Sequence, residues 1–226
     1  MAASDSLTAL CDDVTSCTAC PRLVAWREQV ARDKRAAYAD WDYWGRPVPG
    51  FGDPQAAVVI VGLAPAAHGA NRTGRMFTGD RSGDFLYASL HRTGFAVQPT
   101  SHHRGDGQRL VGCWITAAVR CAPPQNRPRP DERDRCRPYL ERELALLPAN
   151  VLVALGAFAW DVVVRMLGSD RPRPVFGHGA TAQIGRRTVL GSYHPSQQNT
   201  STKRLTDEML DGVFLRVREL LEQHFR

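Results

Sequence analysis

Ala56-Ala-Val-Val-Ile-Val-Gly62 is a short, unbroken apolar run that ends in glycine. A strand with one wet face alternates apolar and polar residues, whereas a strand buried on both faces does not. Two further segments share the unbroken pattern, Cys113–Val119 and Val151–Leu155, and Ala182–Ile184 with Thr188–Gly191 reads as a short hairpin. Stretches with helical spacing lie between them. One opens at Ser82, read as its N-cap, and runs to about Thr93. Others span Asp131 to about Leu147, interrupted near Pro138, then Phe158–Leu167, and residues 201–223, while residues 5–40 also read as helical. This alternation predicts an α/β fold: a three-layer α/β/α sandwich around a central, mainly parallel four-stranded sheet, with residues 1–226 forming one domain.

Composition narrows the class. At 226 residues, 43% apolar and 23% charged, the chain is ordinary for a globular protein and is neither disordered, collagen-like nor coiled-coil. The longest apolar run, Val151–Trp160, is too short to span a membrane. Met1-Ala-Ala-Ser-Asp5 lacks the basic region and apolar core of a secretory signal. A cytoplasmic, monomeric protein with no membrane partner is the expectation. The formal charge is +6 and the pI about 9.3. Nearly all the basic residues are arginine, the better fork for phosphate oxygens, so a polyanionic partner fits.

In doubly wound sheets, ligands sit beyond the carboxyl ends of the strands. Three segments converge there: the loop after Gly62, the loop after Val119, and the segment around His194. Residues 63–81 read as a long loop, dense in glycine and polar groups, with neither a GxGxxG nor a P-loop pattern. Phe77 could stack on a planar ligand and Asp80 is the nearest carboxylate; the plainer reading makes Phe77 core and Asp80 a helix cap.

Four of six cysteines form pairs, Cys17-x2-Cys20 and Cys121-x14-Cys136. An intracellular chain keeps its thiols reduced, so clustered cysteines point to zinc or an iron–sulfur cluster. Cys11 and Cys113 read as small buried apolar residues.

Four motifs then carry a resemblance. Gly62-Leu-Ala-Pro-Ala-Ala-His-Gly, Asn71-Arg-Thr-Gly-Arg-x-Phe-Thr-Gly-Asp80, Arg120-Cys-Ala-Pro-Pro-x-Asn126 and Tyr193-His-Pro-Ser-x-x-Asn199 resemble those of the family 5, or B-type, uracil-DNA glycosylases. The likeness runs from Cys17 to Asn199. It implies a [4Fe-4S] cluster on Cys17, Cys20, Cys121 and Cys136 that ties the N-terminal helical segment to the sheet. It implies a monofunctional hydrolase that removes uracil and other deaminated bases from double-stranded DNA, starting base excision repair near the nucleoid.

Such chemistry must flip a base out of the duplex, hold it, and stabilise a departing base anion. By resemblance Phe77 stacks on the base, His194 donates to the leaving group, and Gly62, Ala64 and Asn126 complete the pocket. Ser196, Gln197, Gln198 and Asn199 would press into the minor groove. Arg75, Arg81 and Arg120, with Arg72, Arg127 and Arg129 beside them, would meet phosphates. Two departures stand out. Where related families carry a polar or acidic group to activate water, this chain has Ala64, so Asp80 becomes the candidate. Where uracil-selective relatives read the base with an asparagine, this strand has Ala117-Ala118, which predicts broad specificity, hypoxanthine included. The rivals are a uracil-specific family 4-like enzyme, which would need an acid near Ala64, and a non-catalytic iron–sulfur module that binds lesions.

Overall fold

The computed structural model describes residues 5–168 and 172–224. Met1–Ser4, on which most of the reading of the N-terminus rested, lie outside the described residues. In chain order the elements are α1 (Leu7–Ser16), α2 (Pro21–Asp33), β1 (Phe51–Gly52), β2 (Val58–Gly62), α3 (Ala70–Thr73), α4 (Arg81–Arg92) and β3 (Cys113–Ala117). They continue with α5 (Pro130–Leu146), β4 (Val151–Leu155), α6 (Ala157–Met166), β5 (Thr181–Ile184), β6 (Arg187–Ser192), α7 (Gln197–Ser201) and α8 (Asp207–His224). No helix among the described residues is long and apolar enough to cross a membrane.

The strands form one sheet in the order β1-β3-β2-β4-β6-β5. It has six strands rather than four. The central β3, β2, β4 and β6 run parallel, and each edge is closed by an antiparallel strand, β1 on β3 and β5 on β6. β1 escapes a sequence reading because two residues carry no periodicity. β2, β3 and β4 are buried at every position, as unbroken apolar runs require.

Alternate residues of these strands serve two cores. Ile60, Ile115 and Val153 face Leu86, Leu90, Phe214 and Val217 of α4 and α8. Val59, Val61 and Leu152 face Leu140, Leu144, Trp160 and Val163 of α5 and α6. Each leucine so enclosed contributes roughly 1.5–3 kcal/mol. Two expectations about helices change. α5 runs unbroken through Pro138, which sits on the exposed face, so the carbonyl it leaves unbonded is open to water. The cap of α4 is Asp80 rather than Ser82, its carboxylate accepting from Gly83 N at 3.0 Å. The parallel strands all end on the same side, and there the loops after β2, β3 and β6 meet.

Candidate active site

Where those loops meet, a cavity of about 440 Å³ is lined by residues that include Ala64, Phe77, Asp80, Asn126, His194 and Ser196. The sequence reading therefore brings the right segments together. Gly62, the last residue of β2, is packed so tightly that a Cβ would fall 2.7 Å from the Phe77 ring. Phe77 itself has φ +51°, a left-handed backbone that costs a non-glycine residue energy and holds its half-buried ring beside the cavity. The ring lies 5.8 Å from the His194 imidazole, centre to centre.

His194 is half-buried at the cavity wall, and desolvation alone pushes its pKa down to about 4. The imidazole is therefore neutral at pH 7 and can donate one hydrogen bond without carrying a charge. Its backbone is held from two sides. Asn199 Nδ2 donates to the His194 carbonyl at 2.8 Å, and the preceding Tyr193 N–H donates to His178 Nδ1 at 3.3 Å. Asn199 thus acts as a strut for the histidine. Ser196 caps α7, with its hydroxyl accepting from Asn199 N, while Gln197 and Gln198 are exposed.

Asp80 is the only carboxylate among the described residues that line the cavity. Burial raises its pKa, against the backbone N–H groups of Gly83 and Ser82. Its second oxygen lies over Gly69, where a Cβ would fall 1.8 Å from it, so only glycine fits. The loop that carries Asp80 is closed by Arg72. Its Nε donates to His68 O at 2.8 Å and its Nη2 to Gly79 O at 2.7 Å, while its guanidinium lies 3.9 Å from the Tyr38 ring and 4.0 Å from Trp41.

This overturns part of the arginine reading. Arg72 and Arg75 are each only 3% exposed, and Arg120 only 1%. Arg75 is paired with Asp106 at 2.6 Å; Arg120 is paired with Glu143, which also accepts from Thr116 Oγ1 at 2.7 Å. Each is spent on an internal carboxylate or carbonyl and cannot reach a phosphate. Arg27, on α2, is buried too, and donates to Cys121 Sγ at 3.2 Å. Arg81, Arg127 and Arg129 are exposed, and Asn126 stands with Gln125 in a left-handed turn at the cavity rim.

A second cleft is lined by Cys17, Cys20, Cys121 and Cys136, all free thiols. Burial pushes the Cys121 thiol up to about 12 and Cys136 up to about 11. N–H groups point at sulfur here: Arg27 at Cys121, and the Arg120 backbone at Cys136, 3.3 Å away. No three ligating side chains among the described residues are grouped to hold a single metal ion. Cys113 is fully buried in β3, in keeping with the apolar reading, whereas Cys11 is only half-buried.

Gly69, His178 and Asp106 were not singled out from sequence. The first two were recognisable only as a glycine and a lone histidine, and the third bonds a residue 31 positions away.

The profile of the uracil DNA glycosylase superfamily matches residues 49–218. The chain belongs to this superfamily, in its type-5 branch. It is accordingly a hydrolase of N-glycosyl bonds that acts on DNA. It is 56% identical to the type-5 uracil-DNA glycosylase of Mycobacterium bovis, over 92% of this chain and 79% of that protein. It is 51% identical to the type-5 uracil-DNA glycosylase of Thermus thermophilus, over 92% and 94% respectively. Similarity to a type-4 uracil-DNA glycosylase of Pyrobaculum aerophilum is lower, 34% over 56% of the chain.

Proposed function

We propose that this chain is a monofunctional DNA glycosylase that removes uracil and other deaminated bases, such as hypoxanthine, from double-stranded DNA, acting as a monomer and leaving an abasic site. The observation that carries the reading is the neutral His194 beside Phe77 at the floor of one cavity. A flipped base stacks on Phe77 and receives the His194 N–H on its pyrimidine oxygen. As the C1′–N bond breaks, its electron pair leaves with the base, and the hydrogen bond to His194 strengthens as that charge develops. Asp80 stabilises the cationic sugar and orients the water, whose oxygen bonds to C1′ while its released proton neutralises the departed base anion. Asn126 gives the base a further polar contact at the rim. The exposed Arg81, Gln197 and Gln198 face the duplex, with Ser196 setting the turn before them.

Breadth of substrate follows from the apolar wall. Ala64 lines the cavity and Ala117 and Ala118 are buried, and none of the three has a side-chain polar group that a base other than uracil would leave unpaired.

The four thiols fit a [4Fe-4S] cluster by their chemistry: a soft, four-sulfur donor set in one cleft, with N–H groups aimed at two of the sulfurs. Cys17, Cys20, Cys121 and Cys136 would hold it, and its contribution would be structural. It would tie the turn before α2 to the loop after β3 and to α5, joining the N-terminal helices to the rest in one domain.

The test is base release from end-labelled duplexes carrying uracil opposite guanine or hypoxanthine opposite thymine, read by alkaline cleavage. Both are cut only after alkali, and His194→Ala cuts neither at a comparable rate. Binding to duplex without any base release would replace this reading with the non-catalytic lesion-binding module. Release of uracil alone would leave the activity and remove the breadth.

A further inference from the structure

α4 starts at the cavity with Asp80 as its cap and ends twelve residues later, about 18 Å away. β3 also starts at that far end, since Cys113 pairs with Val58, the first residue of β2. A short turn would join them. Instead the chain climbs back to the cavity and returns. Its two legs pair through the Ala96–Leu110 bridge and the Val97 N–Arg109 O bond at 3.0 Å, and its tip reaches Gly79, whose N–H donates to Ser101 O at 2.9 Å.

The tip is pinned from beneath. Asp106 accepts from the backbone N–H of His102 at 2.7 Å, of His103 at 3.2 Å and of Gln108 at 3.0 Å. Its charge is matched by buried Arg75, which also donates to Ser101 Oγ at 2.7 Å. The acid is thereby consumed inside the tip, and His102, His103, Arg104 and Gly105 are left exposed. The Arg104 guanidinium lies over the Trp44 ring at 4.4 Å. Asp84, exposed in the first turn of α4, is within electrostatic reach of both His102 and exposed Arg81, which makes these two residues neighbours on the rim.

We infer that residues 94–112 form a finger whose tip, His102–Arg104, grips the phosphate backbone of duplex DNA alongside the cavity, together with Arg81. A polyanion is what a rigid, outward-facing set of ring N–H and guanidinium donors fits, and the acid inside the tip, Asp106, is neutralised internally by Arg75. Arg75 would thus serve DNA binding indirectly, as the post on which the finger is mounted. The inference rests on the glycosylase reading only for its choice of DNA as the polyanion.

The test is anisotropy of a labelled, undamaged duplex titrated with the full chain from 100 to 300 mM NaCl. The double variant His102→Ala/Arg104→Ala binds about tenfold more weakly and its salt slope falls by about one to two. Its single-turnover release of uracil at saturating enzyme stays within about twofold of the parent. Asp106→Asn is the sharper probe. It adds a net positive charge, so bulk attraction would tighten binding, whereas loss of the pinned tip weakens it. Unchanged affinity and slope in the double variant, or tighter binding by Asp106→Asn, overturns the inference. Failure of the parent to release uracil while the double variant still loses affinity would count against the glycosylase reading and leave the finger standing.

Discussion

The loops after β2 and after β3 leave neighbouring parallel strands and line the same cavity, yet they are built in opposite ways. The first, residues 63–80, is closed by Arg72, carries its aromatic and acidic groups half-buried, and has its backbone fixed by Gly62 and Gly69. The second is anchored at its base by Arg120 and Cys121 and at its far end by the Arg22 side chain, which donates to Arg127 O at 3.2 Å, and between them it runs exposed through Gln125 and Asn126. Groups that meet the reacting atoms must not reorganise during the reaction, whereas groups at the rim must follow the shape of DNA. The contrast is between a loop held along its length for chemistry and a loop held at its ends with an exposed middle.

The anchor of the second loop is the first place to break that contrast. Glu143 is buried and accepts from Arg120, Thr116 and Trp114. Glu143→Ala leaves the Arg120 guanidinium buried without its partner and should cost about 3–5 kcal/mol, read as a lower urea midpoint. The paired change Arg120→Met/Glu143→Leu should recover most of that loss. A single variant as stable as the parent would show that the ion pair anchors nothing.

On the chemical side, His194→Ala should slow base release by about 10²–10³-fold while binding to undamaged duplex stays near the parent value. A matching fall in both would make the histidine a structural post. Acid should expose the same residue through stability. The folded chain resists protonating His194 until about pH 4, whereas the unfolded chain takes the proton near pH 6.5. The unfolded state therefore binds more protons between those values, and stability falls as pH drops from 6.5 toward 4. In urea melts, His194→Gln should lose that part of the slope. The smallest effect is expected at the rim. Gln125→Gly relieves a left-handed residue at φ +55° but frees the unfolded chain, so stability should move by no more than about 1 kcal/mol and base release by less than twofold.

The frame and the location of the cavity were legible because unbroken apolar strands and long motifs are local signals. The edge strand β1 was not, being two residues long. The motifs identified Phe77, Asp80 and His194, but they could not tell a supporting arginine from a contacting one. That distinction lies in partners far away in sequence: Asp106 for Arg75, Glu143 for Arg120, and the Tyr38 and Trp41 rings for Arg72. Asp80 and Ser82 are both good caps two residues apart, and only the bond to Gly83 decides between them. The finger had no signal at all, since its legs are joined by two rungs and its tip is polar.

The left-handed backbone at Phe77 also limits how this pocket can be redesigned. A β-branched residue there would add its own steric penalty to a conformation already disfavoured for any side chain. Libraries meant to recruit larger or smaller bases would do better to leave position 77 aromatic. They should vary Ala64 and Asn126 instead, one on the inner wall and one on the rim, where the backbone of the stacking residue is not at stake.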